Sequence, residues 1–308
     1  MSTRLPKKSV YEKKDLIGVS AFCDWFICGD NVIMNKTDCV PDSIFISSYK
    51  IAESIFFFST TILPTLTKEV VLVIASEDVS FPLGIEDVRF AKEIRKIEKE
   101  IDVIMKSDKV KHIFVENLDL LHKKLSPIPL GFHPAFDKRV VALYEDLMTC
   151  TTIKTDREIN VFCSHRLRIG EQWKERHIAK GLCLNAWRDL VVWKESNLSQ
   201  EEFKNNLLKS KFCICVRGGG IDPSPRAWMA LLCGCFLIMK DSKLNSAYNR
   251  FPVIFVKEWN ASTITQSKIK EWNQKYDEFY KNDENRIRVL RMLTLAYWQQ
   301  QISRKINS

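Results

Sequence analysis

No stretch of the 308 residues approaches the roughly 20 uninterrupted apolar positions that a membrane helix requires, so no spanning helix is expected. Behind the charges of residues 1–9 there is no apolar segment either, and so no secretory signal. Internal repeats and low-complexity tracts are missing. Metal-binding patterns are equally scarce: no CxxC pair, no Cys/His set with zinc spacing and no convincing Asp-x-Asp element occurs. Neither the P-loop nor the GxGxxG fingerprint is present. What remains is an ordinary globular composition, 45% hydrophobic and 28% charged, which excludes a disordered, collagen-like or coiled-coil chain.

At roughly 150 residues per domain, the length suits two domains with real cores. Ten cysteines stand at positions 23, 28, 39, 150, 163, 183, 213, 215, 233 and 235. Cys213 and Cys215 flank Ile214 on an expected strand and should share one face. Without an export signal they are expected to be buried, reduced thiols in a cytoplasmic compartment. The Asn-x-Ser/Thr sites at Asn35, Asn197 and Asn260 should then go unused.

An excess of 47 Lys+Arg over 38 Asp+Glu gives a formal charge of +9. Such a charge suits nucleic acid, a phosphorylated ligand or plain solubility. Its distribution speaks against nucleic acid. Between Arg89 and Lys111, basic residues interleave with Glu93, Glu98, Glu100 and Asp102, while Phe90, Ile94, Ile97, Ile101 and Ile104 recur at helical spacing. This is an amphipathic helix with a mixed-charge face rather than a basic groove. Lys7, Lys8, Lys13 and Lys14 read as a basic, mobile N-terminal arm.

Apolar runs predict strands over 44–47, 70–75, 112–115, 160–163, 212–216, 236–239 and 253–256. Helical patterns fall between them at 49–63, 86–107, 138–148, 171–180, 200–209 and 224–233, and roughly the last 45 residues are helical throughout. Short β-rich runs alternating with helices predict parallel, doubly wound α/β sheets. The polar segment 149–157 marks a boundary. It divides the chain into residues 1–150, residues 151–290 and a closing helix, 291–308, that returns to the first unit. Two such units leave a cleft at the carboxyl ends of their strands, where ligands of α/β sheets bind.

The stretch from Phe212 to Ile238 carries the most chemistry. A buried strand runs into Arg217-Gly-Gly-Gly-Ile-Asp-Pro-Ser-Pro-Arg226 and then into a helix. Glycines let backbone amides approach an anion, a helix start adds donors, and Arg217 and Arg226 bracket the loop as counter-charges for a diphosphate. A tight turn with surface arginines is the competing reading.

This stretch resembles the exostosin-like glycosyltransferases, particularly the soluble forms of large algal viruses and some microbes. Arg217, Gly218, Gly220, Asp222, Ser224, Arg226, Ala230, Leu231 and Gly234 follow that family's order. Glu116-Asn-Leu-Asp-Leu-Leu-His-Lys-Lys-Leu-Ser-Pro-Ile-Pro-Leu-Gly131 is similar to a second family segment, and Phe251-Pro-Val-Ile-Phe-Val-Lys-Glu-Trp259 to a third. The likeness spans roughly residues 70–300. One position departs from it. Met229 stands where the family carries the glutamate that binds the nucleotide ribose, and a thioether cannot accept two hydroxyl bonds as a carboxylate does.

The resemblance implies a GT-B fold, two Rossmann-like domains around a nucleotide-sugar cleft. It also implies inverting transfer of a sugar, with UDP as nucleotide and xylose as a family habit, to a carbohydrate hydroxyl. Donor-binding residues would be Arg166, with Arg168 as second choice, and Arg217, Gly218, Gly219, Gly220, Asp222, Ser224 and Arg226. Asp78, at the end of the apolar run Val70–Ala75, is the expected base, because carboxylates at a strand's carboxyl end point into the cleft. Glu77 is the reserve, Asp24, Asp119 and His133 are weaker alternatives, and a turn-capping role for Asp78 competes. Asn117, Asp119 and His122 are expected to fix a loop, and His165 receives no role. Arginines and amides would replace a metal at the leaving diphosphate, so no cofactor or obligatory metal is expected. Neither a nucleic-acid partner nor a membrane anchor is expected, and a viral protein of the host cytoplasm fits. The rivals are a catalytically silent nucleotide- or carbohydrate-binding relative, which Met229 makes credible, and, less so, a nucleic-acid-binding protein.

Overall fold

The computed structural model describes residues 1–36, 40–132, 138–195 and 197–308. Six strands form the first sheet: β1 (Trp25–Cys28), β2 (Asn31–Met34), β3 (Ser43–Ser47), β4 (Val70–Ala75), β5 (Val110–Val115) and β6 (Leu125–Pro127). Their order is β2-β1-β3-β4-β5-β6, parallel except for the β1–β2 hairpin. All six residues of β4 are buried, which is why its sequence is continuously apolar rather than alternating.

The second sheet contains β7 (Ile159–Cys163), β8 (Val191–Trp193), β9 (Ser210–Ile214), β10 (Phe236–Lys240) and β11 (Val253–Val256). It is wholly parallel, in the order β11-β10-β9-β7-β8. The chain therefore leaves β7 toward β8 and then returns to place β9 on β7's other side. That reversal creates a switch point between β7 and β9, where the two following loops diverge and open a crevice. Two parallel α/β units are the architecture that the sequence predicts.

Side-chain alternation along β9 separates two cores. Phe212 and Ile214 face one way and join Trp187, Phe236, Trp272, Tyr276 and Tyr280. Cys213 and Cys215 face the other way, with their sulfurs 4.0 Å apart, and join a core that continues through the helix Arg226–Leu232 into the first sheet. The last helix, Leu295–Asn307, packs against β4 and β5. Nine cysteines are free thiols, eight of them buried; Cys39 lies outside the described residues.

Four strands go beyond the sequence reading. β1 and β2 are joined by Gly29–Asp30, a two-residue turn that requires the positive φ of Gly29 (63°). β6 and β8 have three residues each, too few to display a period. The helix predicted over 86–107 is two helices, Ala91–Arg95 and Glu98–Lys106. Residues 86–90 are drawn out of helical form because Ser80 Oγ accepts the amides of Glu86 and Asp87, and Asp87 accepts both the amide and Nε of Arg89.

The basic arm is not the mobile terminus its charge suggests. Leu5 and Tyr11 are buried, Thr3 donates its amide to Leu130, and the amide of Leu5 donates to Ser76 Oγ. No helix among the described residues is long and apolar enough to cross a membrane.

Candidate functional site

At the switch point, the loop after β7 and the segment leading into the helix Arg226–Leu232 enclose a cavity of about 230 Å³. Its wall includes Arg166, Arg176, Ser224, Arg226 and Met229. Among the described residues, none of the three arginines has a carboxylate within ion-pair distance. Arg176 and Arg226 are held by backbone carbonyls instead. Arg176 donates to Arg217 O (3.1 Å) and Arg166 O (2.7 Å), and Arg226 donates to Val216 O (3.3 Å). Burial and the neighbouring charges of Arg226 and Arg168 hold the Arg176 guanidinium down to about 9, still protonated at neutral pH. Convergent cations without counter-charges are costly unless an anion joins them.

His165 lies in the same wall. Burial, then the charge of Arg226, press its ring down to about 3, so it is neutral. Its Nε2 stands 2.9 Å from the carbonyl of Arg176 and must carry the proton, since a carbonyl only accepts. The ring thereby fixes the turn of helix that aims Arg176. Arg176 was missed by sequence reasoning. It sits on the helix Lys174–Leu184 rather than in a loop, and only the fold swings that helix over the glycines, where Gly218 lies against its Nη2. Arg168 turns away and stacks over the Trp173 ring, 5.5 Å from its centroid.

Most of the remaining expected donor residues are drawn elsewhere. Gly219 and Gly220 face the first unit rather than the cavity. A Cβ on Gly219 would stand 2.1 Å from Asp78 Oδ2, and one on Gly220 would stand 2.3 Å from Asn117 Oδ1. Glycine is needed here for the close approach of the two units, a correction to the phosphate-cradle reading. Asn117 Oδ1 also accepts the amides of Ile221 (2.8 Å) and Asp222 (3.1 Å).

Asp222 is a brace. It is buried and accepts from Leu130 N (2.9 Å), Ser224 N (2.7 Å) and Tyr248 Oη (2.7 Å), which ties the loop to both units. Ser224 does line the cavity, but its hydroxyl lies 3.0 Å from Tyr248 Oη and it does not cap the helix, whose N-cap is Pro225. Arg217 is neutralised by Glu86 (2.6 Å) and Glu175 (3.2 Å), outside the arginine cavity.

On the facing side, Asp78 is clamped by Arg4 (2.5 Å) and Arg89 (3.1 Å). Burial pushes its carboxyl up, but the charges and hydrogen bonds of the two arginines outweigh it and hold it below the usual range. Such a carboxylate is a weak base. Arg4 also reaches Glu116 (3.2 Å), which accepts from Thr3 Oγ1 (3.0 Å) and Ser76 N (2.8 Å). Burial drives Glu116 up to about 7 despite Arg4. Glu116 was quoted for its motif but not for this chemistry, because burial depends on the arm laid over it.

Glu77 is buried and pairs with Lys7 at 3.0 Å. Asp24 precedes β1, at the amino end of the first sheet and away from the cleft, where it pairs with Lys36 and accepts the amides of Asp42 and Ser43. Asp119 accepts the amides of Leu83 and Ile85, and His122 Nδ1 that of Lys124, as loop-fixing residues should. His133 lies outside the described residues. Among the described residues no group of three or more His, Cys, Asp or Glu side chains is placed to hold a metal ion.

No protein-family model matches the chain, and no curated protein does. Among solved structures, α,α-trehalose 6-phosphate synthase from Burkholderia multivorans is similar over 86% of this chain and 71% of its own, at 8% identity and a TM-score of 0.46. The catalytic domain of starch synthase IV from Arabidopsis thaliana, bound to ADP and acarbose, is similar over 87% and 73%, at 11% identity and a TM-score of 0.33. Likeness at this level carries no argument on chemistry, and the architecture rests on the strand order itself.

Proposed function

We propose that the switch-point cavity binds the diphosphate of a nucleotide sugar and that the chain transfers the sugar, with inversion, to a carbohydrate hydroxyl in glycan synthesis. The observation carrying this reading is the trio Arg166, Arg176 and Arg226, convergent on one cavity without a carboxylate among the described residues. In the transfer, the acceptor oxygen bonds to the anomeric carbon as the bond to the diphosphate oxygen breaks. The leaving diphosphate stays paired with the arginines, which supply the stabilisation a metal ion otherwise gives. The hydroxyl proton passes to Asp78, whose side chain retains 25% exposure where that of Glu116 is sealed. Release from Arg4 or Arg89 would raise its basicity. UDP is the proposed nucleotide and xylose the first sugar to try, both from the family resemblance.

A thermal-shift screen against UDP- and GDP-sugars tests the binding. A true donor at 100 times its dissociation constant stabilises the fold by about 2.7 kcal/mol. Transfer to an oligosaccharide should persist in EDTA, and Asp78→Asn should lower turnover by about 10²–10⁴-fold with donor affinity barely changed. Near-normal turnover of that variant would remove Asp78 from the role, and failure of every nucleotide sugar to bind would remove the function. A second reading, a nucleotide-sugar binder without turnover, is favoured by Met229 in the cavity wall and by the double clamp on Asp78. Donor binding with neither transfer nor hydrolysis would establish it.

A further inference from the structure

Away from the switch point, β6, the segment around Arg250 and the helix Leu295–Asn307 enclose a second cavity of about 380 Å³. Arg250, Arg304 and Lys305 line it, and among the described residues none of them has a carboxylate within ion-pair distance. The lining is a built one. The Trp298 indole donates to Met292 O (2.9 Å), Tyr297 packs edge-on against Trp298 at 5.3 Å, and Arg250 donates to Tyr297 Oη (3.1 Å). Gln301 adds an amide nitrogen that is shielded from solvent and has no hydrogen-bond partner. The field of Lys305 reaches the first sheet. Burial and then the charge of Lys305 press His112 down to about 4, so the ring beside Ser126 (2.9 Å) adds no positive charge of its own at neutral pH.

We infer that this cavity binds an oxyanion carried on a saccharide, a sugar phosphate or sulfate. Its volume lies within the range of about 300–1,000 Å³ typical of small-molecule sites. Three cations supply charge-assisted hydrogen bonds to the oxyanion, while the edge of Tyr297 beside them suits a hydroxylated ring. Contributions from both α/β units and the closing helix mean that such a ligand would tie the three together. The site shares no residue with the arginine trio and stands whether or not that trio binds a nucleotide sugar.

Calorimetric titration of the whole chain at low ionic strength with mannose 6-phosphate, mannose and inorganic phosphate tests the assignment. Mannose 6-phosphate should bind more tightly than inorganic phosphate, and mannose alone should not register. The exposed double substitution Arg250→Gln/Lys305→Gln should weaken binding by at least about tenfold, as loss of charge-assisted bonds requires. Arg304→Glu, a single change on the helix surface, should abolish it, with helix content checked by circular dichroism. Arg226→Ala should leave it unchanged. Absence of binding, equal affinity for inorganic phosphate, or a loss that follows Arg226→Ala instead of the other substitutions would overturn the inference.

Discussion

Glu116 and Asp78 show how one cation sets two carboxylates apart. Both touch Arg4, yet the sealed Glu116 is driven up to about 7 and the partly exposed, doubly paired Asp78 is held down. The consequences for stability have opposite signs. Between the ordinary glutamate value of 4.5 and about 7, the native state holds a proton on Glu116 that the unfolded chain has released, so stability falls as pH rises through that window. A shift of that size is on the order of 3 kcal/mol. The Asp78 contribution is present above the ordinary aspartate value and is lost as pH falls through its depressed one. Urea denaturation of Glu116→Gln, which cannot titrate, should therefore lack the decline across that window; an unchanged decline would exonerate Glu116. At the same scale, Arg176→Gln should weaken nucleotide-sugar binding by about 10–100-fold, the worth of a charge-assisted bond. An unaltered dissociation constant in calorimetry would show that Arg176 does not face the anion.

Among the elements, the short helix Arg226–Leu232 depends most on a distant side chain. Arg286, fully buried and without a carboxylate partner among the described residues, donates to Leu231 O (2.7 Å) and Leu232 O (2.6 Å) at that helix's end. It also donates to Leu147 O and Cys150 O, both at 3.1 Å, at the start of the polar connection to β7. One guanidinium thus closes four carbonyls from two segments, which explains how a charge is tolerated in the core. Arg286→Leu fills the space but leaves those carbonyls unpaired, at about 1–3 kcal/mol each. A loss of at least about 3 kcal/mol by urea denaturation is the expected outcome, with Arg286→Lys intermediate. A stability near the parent's would mean that water replaces the guanidinium.

For the whole molecule, the first core runs without a break from the first sheet through the helix Arg226–Leu232 to the closing helix. Across the cleft, Gln172 adds polar links, donating to Glu86 O (3.1 Å) and accepting from Val88 N (3.2 Å), while it also donates to Gly219 O (2.5 Å) of its own unit. Units that share a core cannot unfold independently without exposing it. Calorimetry should show a single thermal transition whose measured and van't Hoff enthalpies agree. Two resolved transitions would show that each sheet is stable alone.

The strands at the centre of both sheets were legible because a strand buried on two faces must be apolar along its length, and Val70–Ala75 and the Phe212 region leave no other reading. The turn at Gly29–Asp30 was equally available in the sequence, as a short-range hairpin signal. Arg226 could be named in advance because it follows the glycine loop at a strand's carboxyl end, Arg166 and Met229 because the family resemblance points to their positions, and the three do share a cavity. The sequence could not say which cations would find carboxylates. Arg217 and Arg226 look alike in the chain, yet Glu86 and Glu175 neutralise the first and none of the described carboxylates reaches the second. Nor could it show that Gly219 and Gly220 make room for the opposite unit, or that Arg4 would lie on Asp78 and Glu116. Periodicity reports only which face of an element is buried. The partner of a charge is set by the fold: Arg4 meets Asp78 from 74 positions away within the first unit, and Arg217 meets Glu86 from 131 positions away, brought close only by the packing of one unit on the other.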